Sequence, residues 1–482
     1  MTELDANGGP ENGLSQPSGF PDDQMPDLAV PRTVHVVGVG GAGMGAIAEV
    51  LNAMGHTVSG SDLKESAGLD RLRALGVTVT VGHHPDNVGS AEVVTRSTAV
   101  PDINSECRFA WEHGVPVVSR AAALAAIAAQ RSSIVVSGTH GKTTTSSMLA
   151  LILREAHCRP SFIIGGEVNE VGGGAAWDEG DLFVVEGDES DGSFLRLPRK
   201  FAVVTNVEAD HLEHHGGFAA LREAFQQFVR ETDGPVVVGI DDEQGALLAQ
   251  ATGATTVGTS PEADWLISEV NEKWEGVSFL LDGPDGLSVP VSLPVPGLHN
   301  ARNAACAAVI ALLAGAEPAA VTEALSRFSG VARRFEHRGQ KEGVHFVDDY
   351  AHLPTEVVAT ISAAKSGNWN RLVAVFQPHR YSRTEALWRS FGEAFNEADL
   401  LYVTDVYPSG EAPRPGVSGQ LIVDAVRADC PDLEIHYVER RTDLVAALGN
   451  VLADGDCCLT MGAGDLTTVP DEVQMLLSGK NE

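Results

Sequence analysis

The order of apolar and polar residues predicts alternating strands and helices from about residue 33 onwards. The first apolar run, 33–37, is followed by a glycine-rich stretch and by a helical pattern over 44–54. Four further strands are predicted at 57–62, 78–81, 92–95 and 115–119. Such βαβ periodicity is typical of a parallel sheet with helices on both faces.

Two more segments of the same kind follow. In the second, strands are predicted at 134–136, 181–185 and 201–205, helices at 146–153, 217–229 and 298–316, and mixed β structure over 236–285. In the third, strands are predicted at 344–348, 371–376, 400–404, 434–438 and 457–461. We therefore predict three α/β domains, 32–131, 132–330 and 331–482, after a tail at 1–31. That tail has no Lys, Arg or His and is rich in Gly, Pro, Asp, Asn and Ser, so we expect it to be disordered.

Composition narrows the class of protein. The length of 482 residues suits about three domains, and 43% hydrophobic with 21% charged residues is typical of globular proteins. A net charge of −33 argues against nucleic acid or an anionic membrane as partner. The start of the chain lacks the features of a secretory signal, and the longest apolar runs are too short to span a bilayer. Six scattered cysteines lack zinc-site spacing. We expect a cytoplasmic protein with free thiols.

A phosphate-binding loop is predicted between the strand at 134–136 and the helix at 146–153. Its residues are Gly138, Thr139, His140, Gly141, Lys142, Thr143 and Thr144. In such a loop, backbone N–H groups hold the phosphates, the lysine reaches the terminal phosphates, and the hydroxyl binds Mg²⁺. The usual spacing would place a glycine at Val136. A tight glycine turn with an exposed lysine is the plainer alternative.

A second glycine pattern, G-x-G-x-x-G, occurs at Gly38, Gly40 and Gly43, with Asp62 at the end of the next strand. This pattern indicates a pyrophosphate cradle at a helix N-terminus. NAD, FAD and a UDP-sugar all carry a pyrophosphate, so an NAD-dependent oxidoreductase, a ligase and a nucleotide-binding regulatory protein all stay open. A ligase that holds ATP and a nucleotide-linked substrate would need both loops.

Polar clusters follow several other strands. Glu186 lies where a P-loop protein places an acid for Mg²⁺, and His211 follows the next strand. Arg380 and Arg383 follow a strand of the third segment and suit a phosphate or a carboxylate. Any single acid among these clusters is also explained as a solvated loop charge.

These motifs together resemble the Mur ligase family. The resemblance runs from His35 to Asp465, in the stretches HVVGVGGAGMGAIAEVL, GTHGKTTT, VVEGDESDGSF, TNVEADHLEHHGG, PGLHNARNAACA, GVARRFE, VDDYAHLPTE, FQPHRYSRT and MGAGD. It implies three domains: a Rossmann-like UDP-substrate domain, a P-loop ATPase domain and a C-terminal Rossmann-like domain. The short P-loop is the family's own form.

The resemblance also implies roles for individual residues. The UDP-substrate side would comprise Gly40, Gly41, Ala42, Gly43, Met44, Gly45, Ser61 and Asp62. The ATP side would comprise 138–144 together with His299, Asn300, Asn303, Arg334, Asp348 and Asp349. Metal ligands would be Thr143, Glu186 and His211. The amino-acid and acyl-phosphate side would comprise His379, Arg380 and Arg383, and the catalytic residues would be Lys142, His211, His352 and Arg380.

The implied reaction is ATP- and Mg²⁺-dependent ligation of L-alanine to UDP-N-acetylmuramate through an acyl-phosphate, in peptidoglycan precursor synthesis. A related recycling enzyme that attaches a whole peptide is the nearest alternative. Leu353 stands where the family has a second histidine, and no lysine lies between Lys200 and Lys273 to carry the carbamate of the later-acting ligases. The base that takes the amine proton stays open between His211 and His352, and so does a protein partner for the tail.

Overall fold

The computed structural model describes residues 27–166, 173–210 and 212–479. The described residues up to Ala126 form one compact unit, and those from Ile127 form another. Among the described residues, none of the helices is long and apolar enough to cross a bilayer. All six cysteines are free thiols, as predicted.

The first unit is built on a parallel sheet with strand order β3-β2-β1-β4-β5. Its strands are β1 (Thr33–Val37), β2 (Thr57–Asp62), β3 (Thr78–Val81), β4 (Val93–Arg96) and β5 (Val117–Ser119). Its helices are α1 (Ala42–Ala53), α2 (Ala67–Ala74) and α3 (Ser105–Glu112), and α4 (Arg120–Ala128) leads into the second unit. The strand order reverses beside β1, and ligands of open α/β sheets bind at such a switch point.

The second unit begins with a sheet that has ten strands within the described residues, in the order β15-β14-β13-β12-β11-β10-β6-β9-β7-β8. Its strands are β6 (Ser132–Ser137), β7 (Ser161–Ile163), β8 (Ala175–Ala176), β9 (Leu182–Glu186), β10 (Phe201–Val204), β11 (Val236–Gly239), β12 (Thr255–Gly258), β13 (Trp265–Lys273), β14 (Gly276–Asp282) and β15 (Ser288–Leu293). Its helices are α5 (Lys142–Glu155), α6 (Leu212–His215), α7 (Phe218–Arg230), α8 (Glu243–Thr252), α9 (Leu298–Leu313) and α10 (Pro318–Ser326). Helices α5 and α9 share one apolar core with β6, β9 and β10.

The rest of the second unit carries a sheet of order β16-β17-β21-β18-β19-β20. Its strands are β16 (Glu336–Lys341), β17 (Val344–Asp349), β18 (Arg371–Phe376), β19 (Leu400–Val403), β20 (Glu434–Tyr437) and β21 (Asp456–Met461). Its helices are α11 (Pro354–Lys365), α12 (Tyr381–Leu387), α13 (Gln420–Asp429), α14 (Arg441–Val451) and α15 (Val469–Ser478). Only β16 runs antiparallel within the described part of this sheet.

The predicted α/β class with three sheet-based modules is confirmed. The domain limits 32–131, 132–330 and 331–482 stay a prediction. The tail at 1–31 falls mostly outside the described residues, but Leu28 within it is buried. Strands β7, β8 and β16 were not predicted. Helix α8 lies inside the stretch expected to be mixed β structure, and α5 begins at Lys142, four residues before the predicted start.

Candidate active site

The phosphate-binding loop turns sharply between β6 and α5. Gly138 and Gly141 have φ values of +130° and +78°, where residues with a side chain are strained. A Cβ on Gly138 would stand 2.2 Å from Thr205 Oγ1, and one on Gly141 would stand 2.2 Å from Asn303 Oδ1. Helix α5 begins immediately afterwards and directs the N–H groups of its first turn at the loop. This compact turn explains how the loop works without a glycine at Val136.

Lys142 lies inside a ring of acceptors. Its Nζ donates to Gly138 O at 2.6 Å, to Thr139 O at 3.2 Å and to Glu189 Oε2 at 2.7 Å. Burial lowers the pKa of Lys142, but the charge of Glu189 and the neighbouring acids outweighs burial and raises it. Burial raises the pKa of Glu189, which is 2% exposed. The loop therefore presents a firmly protonated lysine.

Oxygen donors lie beside this lysine. Thr143 Oγ1 donates to Glu186 Oε2 at 3.1 Å, and Gly165 N donates to Glu186 Oε1 at 2.6 Å. Burial raises the pKa of Glu186. The third predicted metal ligand, His211, lies outside the described residues. Within the described ranges, no group of three or more His, Cys, Asp or Glu side chains is arranged to hold a metal ion.

A cavity of about 330 Å³ lies on one side of the loop. Of the predicted ATP-side residues, it is lined by His140, Gly141, Thr144, His299, Asn300, Asn303, Arg334 and Asp349. Burial, followed by the charges of Arg302 and Arg334, lowers the pKa of His299 to about 4, so this ring is neutral at pH 7. The cavity is the place where a nucleoside attached to loop-bound phosphates would fit.

The two adjacent aspartates of β17 lie in different places. Asp349 lines the cavity and accepts from Phe335 N at 2.6 Å and Ala351 N at 2.7 Å, and burial raises its pKa to about 6. Asp348 lines neither this cavity nor a second, smaller one on the Lys142 side of the loop. Its carboxylate accepts hydrogen bonds from the hydroxyls of Thr460 and Thr467, each at 2.6 Å. Asp348 therefore stabilises the end of β17 through these two threonines, while Asp349 faces the 330 Å³ cavity.

A second cavity, of about 210 Å³, lies on the Lys142 side of the loop. It brings together predicted residues from two sheets: Thr139, His140, Gly141, Lys142, Thr143, Arg334, His352, His379, Arg380 and Arg383. Asp210, which was not predicted, also lines it and pairs with Arg383 at 3.3 Å. Gly138 and Glu186 line neither cavity.

Two histidines of this cavity, His352 and His379, are uncharged at pH 7. Burial lowers the pKa of His352 to about 4, and burial together with His352 and the nearby arginines lowers that of His379 to about 3. His352 Nδ1 lies 3.0 Å from Tyr350 O, an arrangement in which Nδ1 donates and Nε2 accepts. His379 Nδ1 accepts from Arg383 Nη1 at 3.0 Å.

Arg380 combines two unusual features. Its φ is +67°, which costs a residue with a side chain on the order of 1–3 kcal/mol. Its Nε is buried and has no hydrogen-bond acceptor among the described residues. Backbone strain and a buried donor without an acceptor are concentrated at functional sites. Both features point to an anionic ligand at this arginine.

In the first unit, Ser61 and Asp62 hold the glycine loop. Ser61 O accepts from Gly38 N at 2.8 Å and from Val39 N at 3.0 Å, and Asp62 Oδ2 accepts from Gly40 N at 2.8 Å. Behind Ser61 lies Glu106, which is fully buried and accepts from Ser61 Oγ at 2.5 Å. Burial raises the pKa of Glu106, but His35 at 3.6 Å and hydrogen bonds from Ser61 and Asn87 outweigh it and lower the pKa to about 2.

Sequence reasoning missed a cation beside this loop. A Cβ on Gly43 would stand 2.9 Å from Arg120 Nη1, at the N-terminal turn of α1. A helix N-terminus is already positive, so a guanidinium there suits a bound anion. The only sequence signal was the position of Arg120 directly after β5. Ala42, Met44 and Gly45 belong to the same turn of α1.

All three sheet-based parts of the chain are similar to domains of known proteins. Residues 33–132 match the catalytic domain of the Mur ligase family, 136–311 the Mur ligase middle domain, and 333–464 the glutamate ligase domain of Mur ligases. The UDP-N-acetylmuramate–L-alanine ligase of Rubrobacter xylanophilus is 44% identical, over 91% of this chain and 99% of its own length. The protein of the same name from Nitratidesulfovibrio vulgaris is 43% identical, over 91% and 97%.

Solved structures agree with this match. The UDP-N-acetylmuramate–alanine ligase of Thermotoga maritima is similar with a TM-score of 0.78 and 29% identity, over 93% of this chain and all of that one. A murein peptide ligase from Psychrobacter arcticus is similar in fold, with a TM-score of 0.67 at 24% identity, over 92% and 98%. This chain belongs to the Mur ligase family.

Proposed function

We propose that this protein ligates L-alanine to UDP-N-acetylmuramate with cleavage of ATP, in peptidoglycan precursor synthesis. Relatives 43–44% identical over 91% of the chain carry that name. The observation that carries the proposal is the 210 Å³ cavity, where Lys142 of the phosphate loop meets a cluster of arginines and the neutral rings of His352 and His379. Such a cavity can hold a phosphorylated carboxyl group and an amino acid together.

In the first step, an oxygen of the lactyl carboxylate attacks the γ-phosphorus of ATP. The bond from that phosphorus to the β–γ bridging oxygen breaks, and ADP leaves with its electron pair. Lys142 offsets charge on the transferred group, and the N–H groups at the start of α5 hold the phosphates. The protein must align two anions that repel each other, the lactyl carboxylate and the triphosphate of ATP.

Thr143 and Glu186 fit a Mg²⁺ ion, because their oxygens lie next to each other and next to Lys142. Mg²⁺ prefers oxygen ligands, keeps several waters and binds through one or two carboxylates together with substrate phosphates. When bound, the ion would neutralise phosphate oxygens. His211, outside the described residues, stays a predicted ligand.

In the second step, the amine of L-alanine attacks the acyl carbon, and phosphate leaves with the former carboxylate oxygen. Arg380 suits the carboxylate of alanine, because its Nε is a buried donor without an acceptor in the described structure. The Arg383–Asp210 pair limits the space beside it. His352 can take the amine proton, because burial keeps it neutral and its Nε2 is an acceptor.

The glycine loop of the first unit would hold the pyrophosphate of the UDP-sugar. The pyrophosphate would lie against the loop formed by Gly40, Gly41, Ala42, Gly43, Met44 and Gly45, at the N-terminus of α1. Ser61 and Asp62 hold this loop, and Arg120 would add positive charge. We also propose a cytoplasmic location, because the proposed reaction consumes ATP. A protein partner for residues 1–31 stays a prediction.

The test is phosphate release with UDP-N-acetylmuramate, ATP, Mg²⁺ and each amino acid in turn, with products identified by mass. We expect release with L-alanine and a product larger by one alanyl residue. Product formed only with a tripeptide would indicate the recycling enzyme. Saturable NADH binding without ligation would favour an oxidoreductase, and tight ATP binding with no phosphate release would favour a regulatory protein.

A further inference from the structure

His140, in the middle of the phosphate loop, lies between two carboxylates. Its Nδ1 is 3.1 Å from Glu356 Oε1, and its Nε2 is 3.3 Å from Glu208 Oε2. Thr355 Oγ1 donates to the same Glu208 oxygen at 2.8 Å. Glu208 follows β10 of the ten-stranded sheet, whereas Thr355 and Glu356 open α11 beside the six-stranded sheet. The imidazole thus joins the two sheet systems at the loop itself.

The backbone of His140 cannot move independently of β10. Its N–H donates to Asn206 Oδ1 at 2.9 Å, and its carbonyl accepts from Thr205 Oγ1 at 2.5 Å and from Asn206 Nδ2 at 3.1 Å. The backbone position from which the imidazole projects is therefore fixed within the phosphate loop. If Glu356 is displaced, groups other than the backbone of His140 must move to accommodate it.

Glu356 carries the connection onward to the amino-acid side. Its Oε1 faces His140, and its Oε2 accepts from His352 N at 2.9 Å and Leu353 N at 3.2 Å. Glu356 thereby caps the first turn of α11 from its third position, as the glutamate of a capping box does. One carboxylate therefore links the phosphate loop to the segment that carries His352. The connection spans 216 residues of sequence between His140 and Glu356.

We propose that His140 and Glu356 form a positioning bridge, which aligns the amino-acid side of the site with the phosphate loop. The proposal rests on the proposed function. It adds Glu356 to the site and gives the side chain of His140 a positioning role. Neither residue needs to touch the reacting atoms. Without the bridge, ATP still binds to the loop, but His352 and the bound alanine lie out of line with the acyl carbon. Water then attacks the acyl-phosphate, which yields the original carboxylate and free phosphate.

The bridge has a pH dependence that a purely apolar contact would lack. The charged and titratable groups around His140 are Glu208, Glu356, Arg334, His352 and Lys142. Burial lowers the pKa of His140, but Glu356 and Glu208 outweigh burial and raise it to about 9. Because the pKa of His140 is raised, the stabilisation from the charged bridge is fully present below about pH 6.5. It is lost as pH rises through about 9.

The first measurement uses His140→Gln, Glu356→Gln and the double variant, because glutamine keeps the size and the capping-box acceptor while removing charge. The matched control is His436→Gln, which breaks an exposed His–Glu pair (2.8 Å to Glu434) on β20. We expect each single variant to lose about 10–100-fold in kcat, the scale of a small misplacement, with the KM for ATP within about twofold. The phosphate released per alanyl product should rise above one, and the double variant should be no worse than either single one.

An additive double variant, an unchanged ratio of phosphate to product, or a defect confined to the KM for ATP would overturn the proposal. Native enzyme in the same assay tests the proposed function separately, since it must form the alanyl product. A second measurement needs no activity: the His140 ring resonance is identified by its absence in His140→Gln and titrated by NMR. Its pKa should fall in Glu356→Gln and stay unchanged in His436→Gln. An unchanged pKa in Glu356→Gln would overturn the bridge whatever the kinetics show.

Discussion

Replacing Lys142 with alanine separates the catalytic work of the phosphate loop from its contribution to folding. In the native protein the ammonium group uses its three donors on Gly138 O, Thr139 O and Glu189 Oε2. The substitution removes the charge that faces the transferred phosphoryl group. It also leaves the carboxylate of Glu189, which is 2% exposed, without its cation.

Two magnitudes follow. Loss of one preorganised charge donor lowers turnover by roughly 10²–10³-fold, or about 3–4 kcal/mol of barrier. Loss of one partner of a buried ion pair destabilises the fold by about 3–5 kcal/mol. Protonation of Glu189 limits this second cost. At pH 7.5, protonating a carboxyl with a pKa near 4.3 costs about 4 kcal/mol, at about 1.4 kcal/mol per pH unit.

The unfolding free energy of Lys142→Ala should depend on pH through Glu189. Burial raises its pKa in the folded protein above the unfolded value, and the substitution removes the charge and the hydrogen bond of Lys142 that most oppose burial. The folded variant therefore binds a proton more readily than the unfolded chain. Its deficit in unfolding free energy should be full at high pH and shrink by about 1.4 kcal/mol per unit as pH falls toward 5.

The assays are urea unfolding between pH 5 and 8 and alanine-dependent phosphate release at pH 7.5. The control is Lys142→Ala combined with Glu189→Gln, which also removes the buried carboxylate that is ion-paired with Lys142. It should recover most of the lost stability and none of the lost turnover. Near-native turnover of Lys142→Ala would refute the role of the loop. Failure of the double variant to recover stability would refute the assignment of the deficit to Glu189.

Three further predictions concern other parts of the protein. Glu106→Gln should lower the unfolding free energy at pH 7 by about 3 kcal/mol. This figure corresponds to the difference between a pKa of about 2 in the folded protein and 4.5 in the unfolded chain. In the native protein this contribution should be lost as pH falls from about 4.5 through 2, measured by urea unfolding. Arg383→Lys keeps the charge but loses the guanidinium geometry toward Asp210. The kcat/KM for alanine should therefore fall about 10–100-fold, with the KM for ATP unchanged. Equal losses for both substrates would contradict this prediction. Arg120→Gln should raise the KM for UDP-N-acetylmuramate about tenfold or more, and an unchanged KM would show that Arg120 does not contact the substrate.

Much of the fold could be predicted because apolar runs mark buried strands. Strand β18 has the predicted limits, since its apolar run is bounded on both sides by polar residues. Strand β16 was missed because its sequence, EHRGQK, has no apolar alternation and is held by antiparallel pairing with β17. The start of α5 was placed too late because Lys142 is followed by threonines and serines, which are weaker helix formers.

The candidate site was only partly predictable, because its contacts join residues far apart in sequence. Asp210 and Arg383 are 173 residues apart, and no local pattern pairs them. Strand geometry does explain why Asp348 and Asp349 cannot share one role. Successive side chains of β17 point to opposite faces, so only one of the two can face the cavity. Glu356 was not among the predicted site residues, because its contact with His140 joins positions that are 216 residues apart.

The central claim is that the phosphate loop activates a carboxylate for amide formation. The most direct measurement uses UDP-N-acetylmuramate with both lactyl carboxylate oxygens labelled with ¹⁸O, incubated with ATP, Mg²⁺, L-alanine and the native enzyme. An acyl-phosphate route predicts that each phosphate released carries one ¹⁸O atom and that the amide product retains the other. Release of unlabelled phosphate together with the alanyl product, or no alanyl product at all, would contradict the account.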